Sequence, residues 1–182
     1  MATFNLYPVG DESNDFTIST GSTAWGVMDD DHTGSIATDS SYLSTTSSGN
    51  ICKFRLGSFT PSYDSIDGVQ VVVKAGNNGR GRTFALGMTI ANSAGGDFYA
   101  QESSGTQNAS AGYRTITYTN RTTSDGSSTA WTPTTLAAMR IELELTAHSG
   151  GTFQTTYCYV IVTYTPATTT AADNALFFGT NF

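Results

Sequence analysis

Alternation of apolar and polar residues along short segments is the feature that most constrains how this chain can fold. In residues 139–146, Ile141, Leu143 and Leu145 alternate with charged side chains, so an extended backbone places the three aliphatic groups on one face. Residues 83–90 and 52–56 repeat this period of two, and no window shows a sustained helical stripe. The pattern predicts antiparallel strands with one face buried and the other in water.

Two other segments are more apolar than these amphipathic strands. In residues 67–75, Val69, Val71 and Val73 share a face and Val72 adds a fourth valine, which predicts a central strand. Residues 157–164 carry aromatic or aliphatic groups on both faces, which favours a strand that is covered on both sides. Weaker strand candidates are residues 4–7, 16–19, 97–101 and 114–119.

Turn-forming residues separate these segments, and together they define the expected architecture. Clusters rich in Gly, Asn and Ser lie at residues 76–79, 92–96, 124–127 and 149–150. Eight or nine short strands with such connections predict an all-β, antiparallel β-sandwich of jelly-roll type. Pro133 suits the first position of one short helix in residues 132–139. We expect a single β-sandwich domain over residues 1–165 and an extended C-terminal arm over residues 166–182.

Charge and cysteine content narrow the classes of partner. The formal net charge is -7, and the eight Lys and Arg residues form no cluster, so we expect neither nucleic acid nor an anionic membrane as a partner. The chain has no apolar stretch of bilayer length and no basic, apolar leader, which predicts synthesis in the cytosol without secretion. Cys52 and Cys158 lie in predicted strands and are expected to be buried free thiols.

Catalytic and cofactor signatures are sparse in this sequence. Glu142 and Glu144 share one strand face, as solvated charges do, and nothing aromatic flanks them as it would a pair of glycosidase acids. His32 and His148 are far apart, and the nucleophile-elbow pattern G-x-S-x-G is absent. We therefore expect a protein that is not an enzyme and that has no cofactor.

One acidic loop is a weak candidate for a calcium site. Asp29, Asp30 and Asp31 are adjacent, and Asp39 follows after a gap. Carboxylate oxygens suit calcium, but the spaced pattern of an EF-hand is missing. A solvated loop is the favoured interpretation.

The two tryptophans are candidates for a carbohydrate-binding site. Trp25 and Trp131 lie just outside predicted strands, where they either anchor the ends of the core or stack on a sugar ring. The core position is favoured. A carbohydrate-binding face would instead gather Trp25, Trp131, Tyr99 or Tyr113 beside the loop of residues 29–31.

The C-terminal segment suggests an assembly contact. Leu176, Phe177, Phe178 and Phe182 place apolar mass at the end of a Thr- and Ala-rich stretch. Such groups stabilise only when they leave water, so we expect them to dock on a neighbouring subunit or on the domain itself. A second possible contact consists of Phe4, Leu6 and Tyr7.

Five loose motifs follow one another along the chain, namely WGVMDDD at 25–31, DSSYL at 39–43, IDGVQVVVKA at 66–75, WTPTTL at 131–136 and YVIVTY at 159–164. Their order resembles that in small virion proteins of tailed bacteriophages that have a jelly-roll fold. The resemblance implies a non-enzymatic capsid decoration or cement protein on the virion exterior. Its partners would be the major capsid protein lattice, which it stabilises, and copies of itself as a homo-dimer or homo-trimer. The alternative is a tail or fibre carbohydrate-binding module that recognises a host-surface glycan.

Overall fold

Twelve strands and one α-helix are present in the described part of the chain in the computed structural model. The structure describes residues 1–28, 39–78, 82–92, 101–108, 112–125 and 128–168. The strands are β1 (Ala2–Leu6), β2 (Pro8–Asn14), β3 (Thr17–Ile18), β4 (Leu43–Thr45), β5 (Ile51–Leu56), β6 (Tyr63–Asn77), β7 (Thr83–Asn92), β8 (Glu102–Ser103), β9 (Gln107–Asn108), β10 (Arg114–Thr117), β11 (Met139–His148) and β12 (Phe153–Pro166). Helix α1 spans Pro133–Ala138.

The first sheet, sheet A, is built around the two longest strands. Its order is β10-β6-β12-β4-β3, and β1 also pairs with β12. The valine-rich strand β6 is therefore central, as its sequence predicts. Val69, Val71 and Val73 face the core and are fully buried. All pairings in this sheet are antiparallel.

The second sheet, sheet B, contains the strands with the clearest alternation. Its order is β2-β5-β11-β7-β8, and β9 also pairs with β7. Ile141, Leu143 and Leu145 of β11 point into the core and are fully buried. Sheet B packs against sheet A through this apolar face, so the structure confirms the predicted all-β, antiparallel jelly-roll sandwich.

The outer face of sheet B carries a network of ion pairs. Glu12 contacts Arg140 at 2.9 Å and Arg55 at 3.6 Å, and Lys53 lies 3.6 Å from Glu142. The pairs of Glu12 with Arg55 and of Lys53 with Glu142 join neighbouring strands, whereas Glu12 of β2 reaches across β5 to Arg140 of β11. This face is the wet, charged side that the sequence predicts.

Helix α1 lies before β11 and begins as its sequence predicts. Thr132 caps the helix, since its side chain accepts a hydrogen bond from the amide of Thr135. The Thr135 hydroxyl group accepts one in return from the amide of Thr132, which completes a capping box. Pro133 stands at the first helical position, and Leu136 is buried in the core. No helix among the described residues has both the length and the hydropathy to span a bilayer.

Both cysteines are free and buried, as predicted. Cys52 lies on β5 of sheet B and Cys158 on β12 of sheet A, so the two thiols belong to opposite sheets. Packed sheets are about 10 Å apart, which exceeds the Cα separation that a disulfide allows. Burial raises the pKa of Cys158 to about 12, and burial is also the main cause that raises the pKa of Cys52.

We expect neither thiol to react with a disulfide reagent such as Ellman's reagent while the protein is folded. The thiolate is the reactive form, and both burial and the raised pKa keep its population low. Titration at pH 8 is expected to count fewer than one thiol per chain in buffer and two in guanidinium chloride. Rapid labelling of the folded protein would contradict the buried positions.

Candidate functional site

Two tyrosines of β12 project from the outer face of sheet A. Cys158 and Val160 are fully buried, so the alternation of the strand places Tyr157 and Tyr159 on the opposite, solvent side. Both tyrosines are half-buried. The inner face of this strand is therefore fully covered, whereas its outer face is only partly covered at Tyr157 and Tyr159.

A third tyrosine reaches the same surface from the other side of β12. Leu6 of β1 pairs with Val160 and points into the core, so Tyr7 turns outward where the chain leaves β1 for β2. The amide of Gly57 donates to the Tyr7 carbonyl at 2.9 Å and fixes this crossing. Tyr7 keeps 38% of its surface exposed, more than either Tyr157 or Tyr159.

The three rings form one aromatic patch, which we call the tyrosine patch (Tyr7, Tyr157 and Tyr159). The ring centroids of Tyr157 and Tyr159 are 5.0 Å apart. Tyr7 lies 6.0 Å from Tyr159 in a stacked arrangement and 6.2 Å from Tyr157. These distances fall within the range of direct aromatic contact, so the rings support one another rather than standing singly.

Beside the patch lies a shallow hollow of about 130 Å³. Strand register explains its shape, because Lys74 of β6 pairs with Tyr157 on one side and with Thr115 of β10 on the other. In the next row, Val72 pairs with Tyr159 and is too short to fill the space between the longer side chains. The lining consists of Val72, Lys74, Thr115, Tyr157 and Tyr159.

This arrangement combines flat apolar surfaces with hydrogen-bonding groups at their edges. The ring faces offer apolar area, and the phenol groups both donate and accept hydrogen bonds. Lys74 adds a positive charge, and Thr115 adds a hydroxyl group. The hollow can therefore bind a small ligand that has one apolar face and several polar groups around it.

The structure gives no account of most of the predicted contact and calcium residues. Leu176, Phe177, Phe178 and Phe182 lie outside the described residues, as do Asp29, Asp30, Asp31 and Tyr99. Of the predicted strand at 97–101, only residue 101 is described. Of the predicted arm, only residues 166–168 are described. These assignments stay predictions.

The structure places the predicted N-terminal contact residues in different environments. Leu6 is a core residue with 1% of its surface exposed, so it offers no surface to a partner. Phe4 is half-buried and meets the ring of Phe59 edge-on at 5.6 Å. Tyr7 is the most exposed of the three, and it belongs to the tyrosine patch.

The tryptophans do not form the carbohydrate-binding face considered from the sequence. Trp131 is buried, and its indole N–H donates to the carbonyl of Arg121 at 2.8 Å. Trp25 is partly buried and packs against the core from a one-turn 3-10 helix. Both therefore anchor the core, which is the interpretation that the sequence favours.

Asp39, the described member of the acidic loop, is occupied by protein donors. It accepts a hydrogen bond from the Tyr113 hydroxyl group at 2.6 Å and another from the amide of Ser41 at 2.8 Å. Within the described ranges, no group of three or more His, Cys, Asp or Glu side chains could hold a metal ion.

Glu142 and Glu144 lie on the outer face of sheet B, on the opposite side of the sandwich from the tyrosine patch. Glu142 pairs with Lys53, and the Gln101 amide group donates to Glu144 at 2.6 Å. Each carboxylate thus has a partner from a neighbouring strand or loop. The arrangement is the one expected of charges on a wet sheet face.

The tyrosine patch was not predicted from the sequence, although part of it has a local signal. Tyr157 and Tyr159 are two residues apart in a strand, which is sufficient to place them on one face. Lys74, Thr115 and Tyr7 have no such signal. Their proximity follows from strand pairing between distant parts of the chain.

Comparisons with known proteins give a fold-level likeness only. No family model and no curated protein matches the chain. A truncated AlyQ with CBM32 and alginate lyase domains matches with a TM-score of 0.49 and 17% identity, over 92% of this chain and 36% of that one. This chain thus spans about a third of the length of that structure.

Two smaller structures are also similar. The C-terminal CBM6 of a laminarinase, LamC, from Zobellia galactanivorans matches with a TM-score of 0.45 and 9% identity, over 89% of this chain and all of that one. A CBM35 from Cellvibrio japonicus Abf62 matches with a TM-score of 0.44 and 14% identity, over 90% and 95% of the two chains. These neighbours are carbohydrate-binding modules with a jelly-roll fold.

Proposed function

We propose that this protein is a non-catalytic glycan-binding protein and that the tyrosine patch with its adjoining hollow is the binding site. The observation that carries the proposal is the convergence of three tyrosine rings from β12 and the β1–β2 crossing on one open sheet face. This proposal corresponds to the carbohydrate-binding alternative, with a different set of aromatic residues.

A sugar ring has the chemistry that this surface complements. The C–H groups of a pyranose form an apolar face, which packs on a tyrosine ring and excludes water from both. The sugar hydroxyl groups around that face need hydrogen-bonding partners. The ammonium group of Lys74, the hydroxyl group of Thr115 and the phenol groups of the patch stand at the edge of the hollow to supply them.

The backbone under the site favours binding because it is already ordered. Tyr157 and Tyr159 belong to the central strand β12, which pairs with β6 along almost its whole length. Ligand binding therefore orders a few side chains and no loop. A surface prepared in this way loses little conformational entropy when a ligand binds.

The capsid decoration hypothesis remains a prediction from sequence resemblance. Its main contact residues, Leu176, Phe177, Phe178 and Phe182, are outside the described residues. The homo-dimer or homo-trimer, the major capsid protein as partner and the location on a virion also stay predictions, as does the setting in a phage tail or fibre. The tyrosine patch lies on the described outer face of sheet A, and its chemistry favours glycan binding.

A glycan array with the full chain tests the proposal, with titration calorimetry on the glycans that bind. Removing the ring in Tyr159→Ala is expected to weaken binding at least about tenfold, since truncating a central aromatic contact typically costs more than ~1 kcal/mol. Tyr159→Phe keeps the ring and is expected to keep affinity within a few-fold. Val9→Ala is the matched control, because Val9 is exposed but lies on β2 of the other sheet.

Thermal unfolding of each variant keeps the comparison interpretable. Tyr159 covers Val72, so its truncation exposes apolar surface and lowers stability somewhat. A folded Tyr159→Ala protein that binds glycans as tightly as the parent would exclude the patch as the site. An array without any bound glycan would count against the proposed function itself.

A further inference from the structure

We propose that the hollow selects acidic glycans and that Lys74 binds the carboxylate or sulfate group of the sugar. This inference rests on the proposed function and adds the class of ligand to it. The chemistry shared by the two groups is an oxyanion attached to a pyranose ring.

The position of Lys74 within the sheet supports this assignment. Lys74 stands between Tyr157 and Thr115 in one cross-strand row, so its side chain lies next to an aromatic wall and a hydroxyl group. A sugar stacked on Tyr157 would place its ring substituents over Lys74. No carboxylate is among the described residues that line the hollow, which therefore has a positive lining.

The charge distribution of the chain supports a role for Lys74 in binding an anion. The chain has a net charge of -7 and only eight Lys and Arg residues, so its overall field repels anions. Several of those cations are paired with glutamates elsewhere, namely Lys53, Arg55, Arg121 and Arg140. A neutral sugar needs hydrogen-bond donors but no charge, whereas an acidic sugar needs a local cation to offset that repulsion.

Lys74 can take part in ligand binding while it keeps contacts within the protein. It has an interaction of its own in the folded chain. An ammonium group carries three donor hydrogens, so a ligand oxyanion can share it with that contact. Charge-assisted hydrogen bonds of this kind are shorter and about twice as strong as neutral ones.

Affinity electrophoresis of the full chain in gels that contain defined polysaccharides tests the inference. Polygalacturonate and its highly methyl-esterified form share a backbone and differ in free carboxylate groups. Dextran sulfate and dextran make the same comparison for sulfate, so the two pairs distinguish the two oxyanions. The variants are Lys74→Met, Tyr159→Ala and, as a charge-matched control, Lys53→Met on the opposite face of the sandwich.

We expect the parent protein to be retarded more by one of the acidic polymers than by its neutral counterpart. Lys74→Met is expected to lower affinity for that polymer about tenfold, and Lys53→Met, with the same change in net charge, is expected to leave it nearly unchanged. The difference between the polymers is expected to shrink as NaCl is raised to about 1 M, where the screening length falls to ~3 Å.

Two results would overturn the inference. In the first, acidic and neutral polymers retard the protein equally, Lys74→Met has no effect and Tyr159→Ala abolishes retardation by both. That result removes the preference for acidic sugars and leaves the proposed glycan-binding function intact. In the second, neither acidic polymer retards the protein; the glycan array then decides the proposed function separately.

Discussion

Replacing Phe153 by alanine is expected to lower the free energy of unfolding by about 3 to 5 kcal/mol, the range for deleting a buried aromatic ring. Phe153 begins β12 and is fully buried. Its ring meets Phe84 at 5.2 Å and Phe16 at 5.9 Å, both in edge-to-face geometry. Because Phe84 belongs to sheet B and Phe153 to sheet A, the cluster joins the two layers of the sandwich. The loss is a large part of the 5 to 15 kcal/mol that stabilises a typical protein.

Denaturation in urea at pH 7, followed by tryptophan fluorescence, measures this effect. Phe153→Leu keeps most of the volume and is expected to lose roughly 1 to 1.5 kcal/mol, mainly from the aromatic contacts. Phe59→Ala is a matched aromatic truncation at a partly buried position, where the ring contacts Tyr63 and Tyr164, and a smaller loss is expected there. If Phe153→Ala cost no more than Phe59→Ala, the three-ring cluster would not be a packed part of the core.

The sequence was sufficient to predict the strands whose two faces differ in polarity. The alternation around Leu143 and the valines around Val71 identified both the strands and their buried sides, and the structure confirms them. Four strands lacked this signal, and two of them, β8 and β9, have only two residues each. Strand β2 contains Gly10, Asp11 and Glu12 without a clear alternation, and β4 has only three residues. Such strands form because their neighbours offer unpaired backbone groups, which a local pattern does not reveal.

The candidate site was harder to predict than the fold because it depends on register. Tyr7 meets Tyr159 only because Leu6 pairs with Val160, and Lys74 meets Tyr157 only because β6 and β12 are adjacent in one register. A shift of one residue would turn each side chain to the other face. Local periodicity indicates which residues share a face of one strand, but it does not indicate which strands are neighbours.

Replacing Glu102 by alanine is expected to lower the free energy of unfolding by about 2 to 3 kcal/mol. The reason is that its carboxylate accepts hydrogen bonds from three donor groups and so connects the two sheets. It accepts hydrogen bonds from the amide of Thr119 at 2.9 Å and from the Thr119 hydroxyl group at 2.7 Å, and it forms an ion pair with Arg121. Glu102 lies on β8 of sheet B, whereas the backbone of Arg121 bonds to Val69 of sheet A. About three quarters of both charged side chains is buried, so removing one leaves the other poorly solvated.

The same contacts predict how stability depends on pH. Burial by itself raises the pKa of Glu102, but the hydrogen bonds from Thr119 and the positive charge of Arg121 outweigh it and hold the pKa below its usual value. The unfolded chain therefore takes up a proton more readily than the folded protein does. The stabilisation is present above the usual glutamate pKa of about 4.3 and is lost as the pH falls through the lower pKa of the folded state.

Denaturation of Glu102→Gln and of the parent protein at pH 7 and at pH 3.5 measures this contribution. Glutamine has no carboxylate to titrate, so the difference in stability between the two proteins is expected to be clearly smaller at pH 3.5 than at pH 7. Glu12→Ala is the control, because Glu12 is more exposed than Glu102 and because its partner Arg140 keeps hydrogen bonds to the carbonyl groups of Ala137 and Met139. Its loss is therefore expected to cost less than the loss of Glu102. Equal losses for Glu102→Ala and Glu12→Ala would show that the contact between the sheets adds nothing beyond a surface ion pair.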